Sequence, residues 1–221
     1  MTKTIYILTV LSLMFVACGA QTTHQNQNSE QAENTIQHIV NPSLEIDTIV
    51  LGGGCFWCIE AQLQQLEGVI HVQSGYAGGH TKKPSYKDVC NGTSGHAEVI
   101  QLIYKPNMIS YEEILYAFWQ AHDPTQHNRQ GNDVGTQYRS VIFYRNAYQK
   151  QIAEQYKQKL NTERIYNTEV VTEISPLKQF YPAEDYHQNY YNENATQGYC
   201  QYVIAPKLEK FKTIFKEKIK K

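Results

Sequence analysis

The sequence predicts an α+β fold, a two-layer α/β sandwich with a ferredoxin-like βαββαβ core and long loops. Short apolar runs alternate with amphipathic segments of helical spacing from about residue 47 onward. The first six elements follow the order strand–helix–strand–strand–helix–strand, which is that of the split βαβ arrangement. Long stretches rich in glycine and polar residues separate the elements, and loops of such length are usually functional. These stretches are residues 75–97, 124–138 and 176–201.

The first two elements meet at a run of three glycines. Residues 47–51 are apolar and predict a strand. Residues 56–66 predict a helix, because Ile59, Leu63 and Leu66 recur at helical spacing. Glycine permits sharp turns of the backbone, so we expect the chain to pass directly from this strand into this helix.

The next three elements complete the first part of the sheet. Residues 69–76 and 98–104 predict strands, the second by its alternation of polar and apolar residues. Residues 111–122 predict a helix, because Ser110 is a favourable N-cap and two acidic residues occupy the first turn.

The last elements are two strands and two helices. Strands are expected at residues 139–144 and 168–174, and a polar helix between them at 147–160. An amphipathic, lysine-rich helix is expected at 207–220. We interpret its lysines as a solvated helix face rather than a membrane surface.

Composition excludes several classes of protein. Of 221 residues, 41% are hydrophobic, which is too many for a wholly disordered chain. The 20 Lys+Arg nearly balance the 21 Asp+Glu, so we expect no nucleic-acid partner. No apolar run reaches the roughly 18 residues of a membrane-spanning helix. Five cysteines cannot all pair within the chain, which argues against a pure disulfide scaffold.

The N-terminal residues have the pattern of an export signal. Lys3 precedes an apolar stretch at residues 5–16, and small residues follow it. The position of Cys18 resembles the bacterial lipoprotein signal, in which that cysteine is lipidated. An ordinary cleaved signal and an uncleaved anchor are the alternatives. We expect an exported protein, anchored by lipid to the cell envelope on its periplasmic or outer face.

Three regions are therefore expected along the chain. Residues 1–17 form the signal peptide, and residues 18–47 comprise the lipidated cysteine and a flexible linker rich in Gln, Asn, Thr, Ser and Glu. Residues 48–221 form the folded domain, for which a monomer is expected.

Cys55 follows the three glycines and begins the first predicted helix. Unpaired N–H groups and the positive end of a helix dipole favour a thiolate, so its pKa is expected below that of a free thiol. A zinc site is disfavoured because no second Cys pair is present. A dinucleotide loop is disfavoured because the glycine spacing does not fit. Two other interpretations of Cys55 stay open. It could form a thioredoxin-like redox pair with Cys58, or it could be a structural cysteine buried in the core.

Phe56 and Trp57 directly follow this cysteine. Two large aromatic side chains beside a nucleophile can form an apolar pocket that suits a small group such as a methyl. Ordinary packing in the core is the alternative for each aromatic residue.

Six blocks of the sequence, in order, resemble the peptide methionine sulfoxide reductase A family. The resemblance runs from about residue 49 to residue 206. The blocks are Gly54-Cys55-Phe56-Trp57, Gly75-Tyr76-Ala77-Gly78-Gly79, Tyr86 with Val89 and Cys90, Gly95-His96-Ala97-Glu98-Val99, His122-Asp123-Pro124-Thr125 with residues 132–140, and Ala183-Glu184-Asp185-Tyr186-His187-Gln188.

The resemblance implies reduction of methionine S-sulfoxide, free or in proteins. Cys55 would attack the sulfoxide sulfur, and Glu98 would protonate the oxygen, which requires a carboxyl pKa raised by burial. Tyr86 and Tyr138 would donate hydrogen bonds to that oxygen. The substrate-binding residues would include Phe56 and Trp57, which hold the methyl, together with Asp133, Glu184, Tyr186 and His187.

The sulfenic acid formed on Cys55 would condense with a second thiol to a disulfide. The candidates are Cys58, Cys90 and Cys200. We favour Cys58 because it lies one helical turn away, keep Cys200 as the alternative, and interpret Cys90 as a buried bystander. The family resemblance implies recycling by thioredoxin or a similar exported dithiol reductant, with no metal or organic cofactor.

Two other functions are compatible with parts of the sequence. A thiol–disulfide oxidoreductase would use Cys55 and Cys58 on protein cysteines. A non-catalytic envelope lipoprotein would bind a partner through the basic C-terminal helix.

Overall fold

A computed structural model describes residues 45–221. The predicted signal peptide, Cys18 and nearly all of the predicted linker lie outside the described residues. Eight strands are described, β1 Asp47–Gly52, β2 Val69–Ala77, β3 Ala97–Tyr104, β4 Arg129–Gln130, β5 Asp133–Val134, β6 Val141–Tyr144, β7 Glu173–Pro176 and β8 Phe180–Pro182. The helices are α1 Phe56–Leu63, α2 Tyr86–Cys90, α3 Tyr111–Ala121, α4 Ala147–Thr162, α5 Tyr190–Glu193 and α6 Ala205–Ile214.

Four short turns of other helix types complete the chain. A π-helix at Cys200–Ile204 runs directly into α6, and single 3₁₀ turns lie at Thr136–Tyr138, Asp185–His187 and Lys216–Lys218. Within residues 45–221, no helix is long and apolar enough to cross a membrane.

The central sheet has six strands in the order β7-β6-β1-β3-β2-β8. The four inner strands are antiparallel neighbours, whereas β7 is parallel to β6. The inner strands alternate with α1 and α3 along the chain as the sequence predicts, so the ferredoxin-like βαββαβ core and the α+β class are confirmed. Strands β4 and β5 form a separate hairpin.

Side chains on the two faces of the sheet pack into different clusters. Ile49 and Leu51 of β1 belong to the large core, together with apolar residues from α1, α3, α4 and α6. Val50, between them, faces a smaller cluster built only from strands and the segment after β7. The alternation follows from the period of two in a strand, and it places the long helices on one face, as expected for two layers.

The predicted strand at residues 168–174 is wrong over most of its length, because β7 begins only at Glu173. The backbone of the preceding residues bonds elsewhere. The N–H of Val170 donates to the Asn161 side chain, and that of Val171 donates to the carbonyl of Pro124. Because these two N–H groups bond to a helix and to a loop, they do not pair with a neighbouring strand.

Two predicted helices end early for a shared reason. α1 ends at Leu63 and α6 at Ile214. Leu66 forms an isolated antiparallel bridge with Ile219, and the N–H of Lys220 donates to the carbonyl of Gln65. Pairing between the chain after α1 and the C-terminal residues takes the place of further helical turns.

The turn between β1 and α1 depends on Gly54. Its φ is +91°, a conformation that residues with a Cβ rarely adopt. A Cβ at this position would lie 2.6 Å from the side chain of Gln130. Gln130 is held in place because its amide bonds both the N–H and the carbonyl of Asp123. The loop that carries Asp133 and Tyr138 therefore packs directly against this turn.

We expect Gly54→Ala to lower the free energy of unfolding more than Gly131→Ala does. Both glycines have positive φ, +91° and +63°, so either alanine should cost about 1–2 kcal/mol. Nothing lies within 4 Å of a Cβ at Gly131, so only Gly54→Ala adds about 1–3 kcal/mol of overpacking. Equilibrium urea unfolding measures both losses, and equal losses would contradict tight packing of Gln130 on Gly54.

Candidate active site

Cys55 is the residue between the glycine turn and the first residue of α1. Its backbone is extended, with φ −58° and ψ 124°, and the residue is 7% exposed. Neighbouring strands β3 and β6 flank the end of β1, where Leu51 lies opposite Ile100 and Ile142. The thiol therefore lies at the end of a central strand of the sheet, away from the protein surface.

Glu98 lies at the start of β3 beside this turn. The residue is 1% exposed, and Oε2 accepts a hydrogen bond of 3.1 Å from the N–H of Phe56. Burial raises the pKa of this carboxyl to about 8, although that hydrogen bond lowers the pKa by a smaller amount. The group therefore holds a proton near neutral pH, as the sequence predicts for the acid of the site.

The predicted low pKa of Cys55 is wrong. Burial is the largest cause that raises the pKa of this thiol, and Cys58 and the charge of Glu98 raise it further. The helix N-terminus does not compensate, because the first N–H of α1, that of Phe56, donates to Glu98 instead. The sequence argument counted the unpaired N–H groups at the start of the helix as partners of the sulfur, whereas the fold places the Glu98 carboxyl on the first of them.

Cys58 has the opposite shift. A hydrogen bond from the Cys55 thiol is the largest cause that lowers the pKa of Cys58, and the charge of Lys207 lowers it as well. Lys207 Nζ lies 3.8 Å from Cys58 Sγ, and the hydroxyl of Tyr199 lies 4.0 Å from it. Of the two buried thiols, Cys58 is therefore the one that carries negative charge more readily.

An aromatic cluster surrounds the first turn of α1. The Phe56 ring lies 6.0 Å from that of Trp57, 6.4 Å from that of Tyr86 and 5.0 Å from that of His187. The Trp57 ring stacks on Tyr190 at 3.7 Å with an interplanar angle of 7°. These rings form one apolar surface next to Cys55.

His187 is buried at the centre of this cluster. Its ring lies 4.4 Å from that of Tyr86 and 4.2 Å from that of Tyr186, which is itself exposed. Burial lowers the pKa of His187, so the ring is neutral near neutral pH. Within the described part of the chain, neither ring nitrogen has a hydrogen-bond partner.

Glu184 joins the cluster to the sheet. Its two oxygens accept hydrogen bonds from the Tyr76 hydroxyl at 2.8 Å and from the N–H of Tyr86 at 2.9 Å. Glu184 therefore holds Tyr86, the first residue of α2, in position.

The two predicted hydroxyl donors both lie near Glu98. Burial raises the pKa of Tyr86 and of Tyr138, and the negative charge of Glu98 raises both further. Both phenols are thus protonated and able to donate. Cys90 also raises the pKa of Tyr86, and Cys90 is half-buried rather than buried as predicted.

Asp133 lies on β5, and its Oδ2 accepts a 2.9 Å hydrogen bond from the Tyr199 hydroxyl. Cys200, the next residue along, is fully buried, and both burial and the charge of Cys58 raise its pKa. The four described cysteines, Cys55, Cys58, Cys90 and Cys200, are all free thiols.

Sequence reasoning missed four side chains of the site. Tyr190 and Tyr199 lie among 17 tyrosines with no distinguishing pattern, and Lys207 is one of several lysines near the C-terminus. The fourth, Glu60, is buried, and its carboxylate accepts the N–H groups of Asn189 and Tyr190 at 3.0 and 3.3 Å. Burial raises the pKa of Glu60 to about 7.

No group of three or more His, Cys, Asp and Glu side chains that could hold a metal ion occurs within residues 45–221. The chemistry available to the site is that of thiols, a protonated carboxyl and phenol hydroxyls. This set suits attack by sulfur on an acceptor whose leaving oxygen needs a proton.

Comparisons with a family model and with individual proteins identify the same family. Residues 47–219 match the family described as peptide methionine sulfoxide reductase. The peptide methionine sulfoxide reductase MsrA of Leptospira borgpetersenii is 55% identical over 174 residues, which cover 78% of this chain and 98% of that protein. The MsrA of Saccharolobus solfataricus is 50% identical over 175 residues, covering 79% and 98%.

Solved structures agree. Reduced Mxr1 from Saccharomyces cerevisiae has a TM-score of 0.66 and 34% identity, covering 72% of this chain and 91% of that one. Methionine sulfoxide reductase A of Corynebacterium diphtheriae has a TM-score of 0.64 and 37% identity, covering 73% and 80%. The matched region includes every site residue described above, from Cys55 to Lys207. On its fold and its sequence alike, the chain belongs to the peptide methionine sulfoxide reductase family.

Proposed function

We propose that this protein reduces methionine S-sulfoxide, free or in proteins, to methionine with thiols as reductant. The reaction class is supported by the relatives, which are peptide methionine sulfoxide reductases of 50% and 55% identity. The observation that carries the assignment of residues is the 3.1 Å hydrogen bond between the Phe56 N–H and Glu98 Oε2. It holds a buried acid beside the residue that bears the Cys55 thiol, so nucleophile and acid share one buried site.

The aromatic cluster is the proposed substrate pocket. The rings of Phe56 and Trp57 receive the methyl group on the substrate sulfur, which is apolar and fits an aromatic surface. The hydroxyls of Tyr86 and Tyr138 donate hydrogen bonds to the sulfoxide oxygen. The wall of the pocket is formed by Asp133, Glu184, Tyr186 and His187.

In the chemical step, the Cys55 sulfur attacks the sulfoxide sulfur while Glu98 gives its proton to the departing oxygen. A bond forms between the two sulfurs, the sulfur–oxygen bond of the substrate breaks, and the oxygen leaves as water with the protons of Glu98 and of the Cys55 thiol. A water molecule then attacks the Cys55 sulfur, the bond between the two sulfurs breaks, methionine leaves, and Cys55 becomes a sulfenic acid. The proton that this water loses restores Glu98. A pKa of about 8 suits this carboxyl, because it is protonated at neutral pH and still gives up its proton readily.

Cys58 then attacks the Cys55 sulfur of the sulfenic acid. A disulfide forms, the sulfur–oxygen bond of the sulfenic acid breaks, and the hydroxyl leaves as water. The lowered pKa of Cys58 supports this assignment over the buried Cys200. A dithiol of the thioredoxin type regenerates both thiols by exchange.

A thiol–disulfide oxidoreductase is the second candidate. The specific observation in its favour is the acidic Cys58 next to a less acidic Cys55 in a C-x-x-C pair. That chemistry needs neither Glu98 nor an aromatic pocket, so the two functions separate in experiments on these residues.

We also propose that Cys18 is lipidated and that the enzyme repairs oxidised proteins of the cell envelope from a membrane anchor. The pattern of a basic residue, an apolar stretch and small residues around Cys18 supports this. The polar segment that follows is long enough to act as a tether.

We expect Glu98→Gln to slow methionine formation about 10²–10⁴-fold. The amide still accepts the Phe56 N–H but has no proton to transfer. In the wild type the rate should rise with pH and level off near pH 8, because Glu98 loses its proton there while Cys55 continues to ionise, and in the variant the rate should keep rising through this range. Single-turnover assays on a peptide sulfoxide measure both. Glu154→Gln, on the exposed side of α4, is the control, and a variant as fast as it would refute the acid role.

We expect Cys58→Ser to form one methionine per enzyme without reductant but to lose turnover with thioredoxin. The first step needs only Cys55, whereas recycling needs the second thiol. Peptide mass spectrometry should find the sulfenic acid of the variant trapped by dimedone on Cys55. Cys200→Ser is the matched control and should retain turnover. Loss of the first methionine in Cys58→Ser would favour the dithiol oxidoreductase instead.

We expect Cys18→Ser to move the protein from the membrane fraction to the soluble fraction of expressing cells. Radiolabelled palmitate should label the wild type and not this variant, since the acyl chains are attached through Cys18. Activity of the purified catalytic region should not change. Equal labelling of both proteins would refute the anchor without affecting the assignment of the catalytic residues.

A further inference from the structure

We propose that Lys207 is a catalytic residue of the resolving step, in which its ammonium group keeps the Cys58 sulfur ready to attack. This inference rests on the proposed function, in which Cys58 closes the disulfide. Lys207 Nζ lies 3.8 Å from Cys58 Sγ, although 149 residues separate them in the chain. The side chain is half-buried, so solvent screens the pair less than it would at the surface.

Lys207 has a defined position. It lies in the first turn of α6, which continues without interruption from the π-helix at Cys200–Ile204. Leu208 and Phe211 anchor α6 in the core. On the other side of the sulfur, Tyr199 OH lies 4.0 Å away and is held by Asp133 at 2.9 Å. Cys58 thus has a fixed cation and a fixed hydroxyl as neighbours.

The ionisable groups around Cys58 oppose one another. Tyr199 and Lys207, from the C-terminal region, and Cys55, on the preceding turn, favour the thiolate. Burial and Asp133 disfavour it. The charge of Cys58 in turn raises the pKa of Glu98 and of Cys200, which face it from β3 and from the π-helix. Among these groups Lys207 is the one with a positive charge.

The contribution of Lys207 becomes decisive after the first chemical step. The largest stabilisation of the Cys58 thiolate comes from the thiol hydrogen of Cys55. That hydrogen is gone once Cys55 carries a sulfenic acid, so Lys207 and Tyr199 are left to favour the thiolate when it must attack. The Cys58 sulfur then bonds to the Cys55 sulfur, hydroxide leaves and is protonated to water, and the Cys58 sulfur is oxidised as the Cys55 sulfur is reduced.

The test compares Lys207→Met, Lys207→Arg and Lys210→Met in the full chain. Lys210 lies on the same helix and is exposed. Enzyme mixed with excess peptide sulfoxide is quenched with an alkylating agent at successive times, and mass spectrometry counts methionine, Cys55 sulfenic acid and disulfide. Loss of the cation should slow disulfide closure about tenfold at neutral pH, equivalent to one pKa unit. Methionine release, which precedes closure, should be slowed less than closure in the Lys207 variants and should keep the wild-type rate in Lys210→Met.

The pH dependence separates an electrostatic role from a structural one. In Lys207→Met the midpoint of the closure rate should move to higher pH, and at high pH the rate should approach that of the wild type. Lys207→Arg should keep most of the wild-type profile, and Lys210→Met all of it. Alkylation of Cys58 in a Cys55→Ser background, with and without Lys207→Met, measures the same shift where closure is too fast to follow.

Two results would overturn the inference in different ways. A parallel loss of methionine release and closure at every pH, with an unmoved midpoint for Cys58, would make Lys207 a structural residue only. A normal rate of disulfide formation in Cys58→Ser, with Cys200 as the partner, would refute the proposed role of Cys58 and with it this inference. The first result would leave the proposed function intact.

Discussion

The site depends on one hydrogen bond between secondary-structure elements, from the N–H of Phe56 to the carboxyl oxygen of Glu98. The first N–H of a helix has no partner within the helix, and β3 supplies the acceptor. The bond ties the turn that bears Cys55 to a neighbouring strand and orients the acid. The proposed substrate pocket, nucleophile and acid are therefore parts of one junction between β1, α1 and β3, and the loop behind Gly54 packs against the same junction.

Burial, rather than the helix dipole, decides where protons reside in this junction. It raises the pKa of Cys55 and of Glu98 together, so both groups hold protons near neutral pH. The charge is carried more readily by Cys58, which has Lys207 and Tyr199 as neighbours. This division of charge matches the order of the proposed steps, because the acid must be protonated first and the resolving sulfur must be ionised later.

The C-terminal part of the chain completes the site, whereas the central residues of the site lie near the start of the folded domain. Glu60 accepts the N–H groups of Asn189 and Tyr190, and Tyr190 stacks on Trp57. Tyr199 then binds Asp133, and α6 brings Lys207 to Cys58. A buried carboxyl on α1 thus anchors a segment of irregular structure, which explains how long loops can hold aromatic rings in fixed positions without extended secondary structure of their own.

The sequence by itself determined the α+β class, the order of the core elements and the positions of Cys55, Cys58 and Glu98 at the ends of elements. Periodicity, glycine turns and helix caps are local signals, and they act over a few residues. Tertiary structure alone decided the direction of the Cys55 pKa shift, the end of α1 at Leu63, and the roles of Glu60, Tyr199 and Lys207. Burial, chain pairing after a helix and contacts across 149 residues depend on how distant segments pack, and no local pattern encodes them.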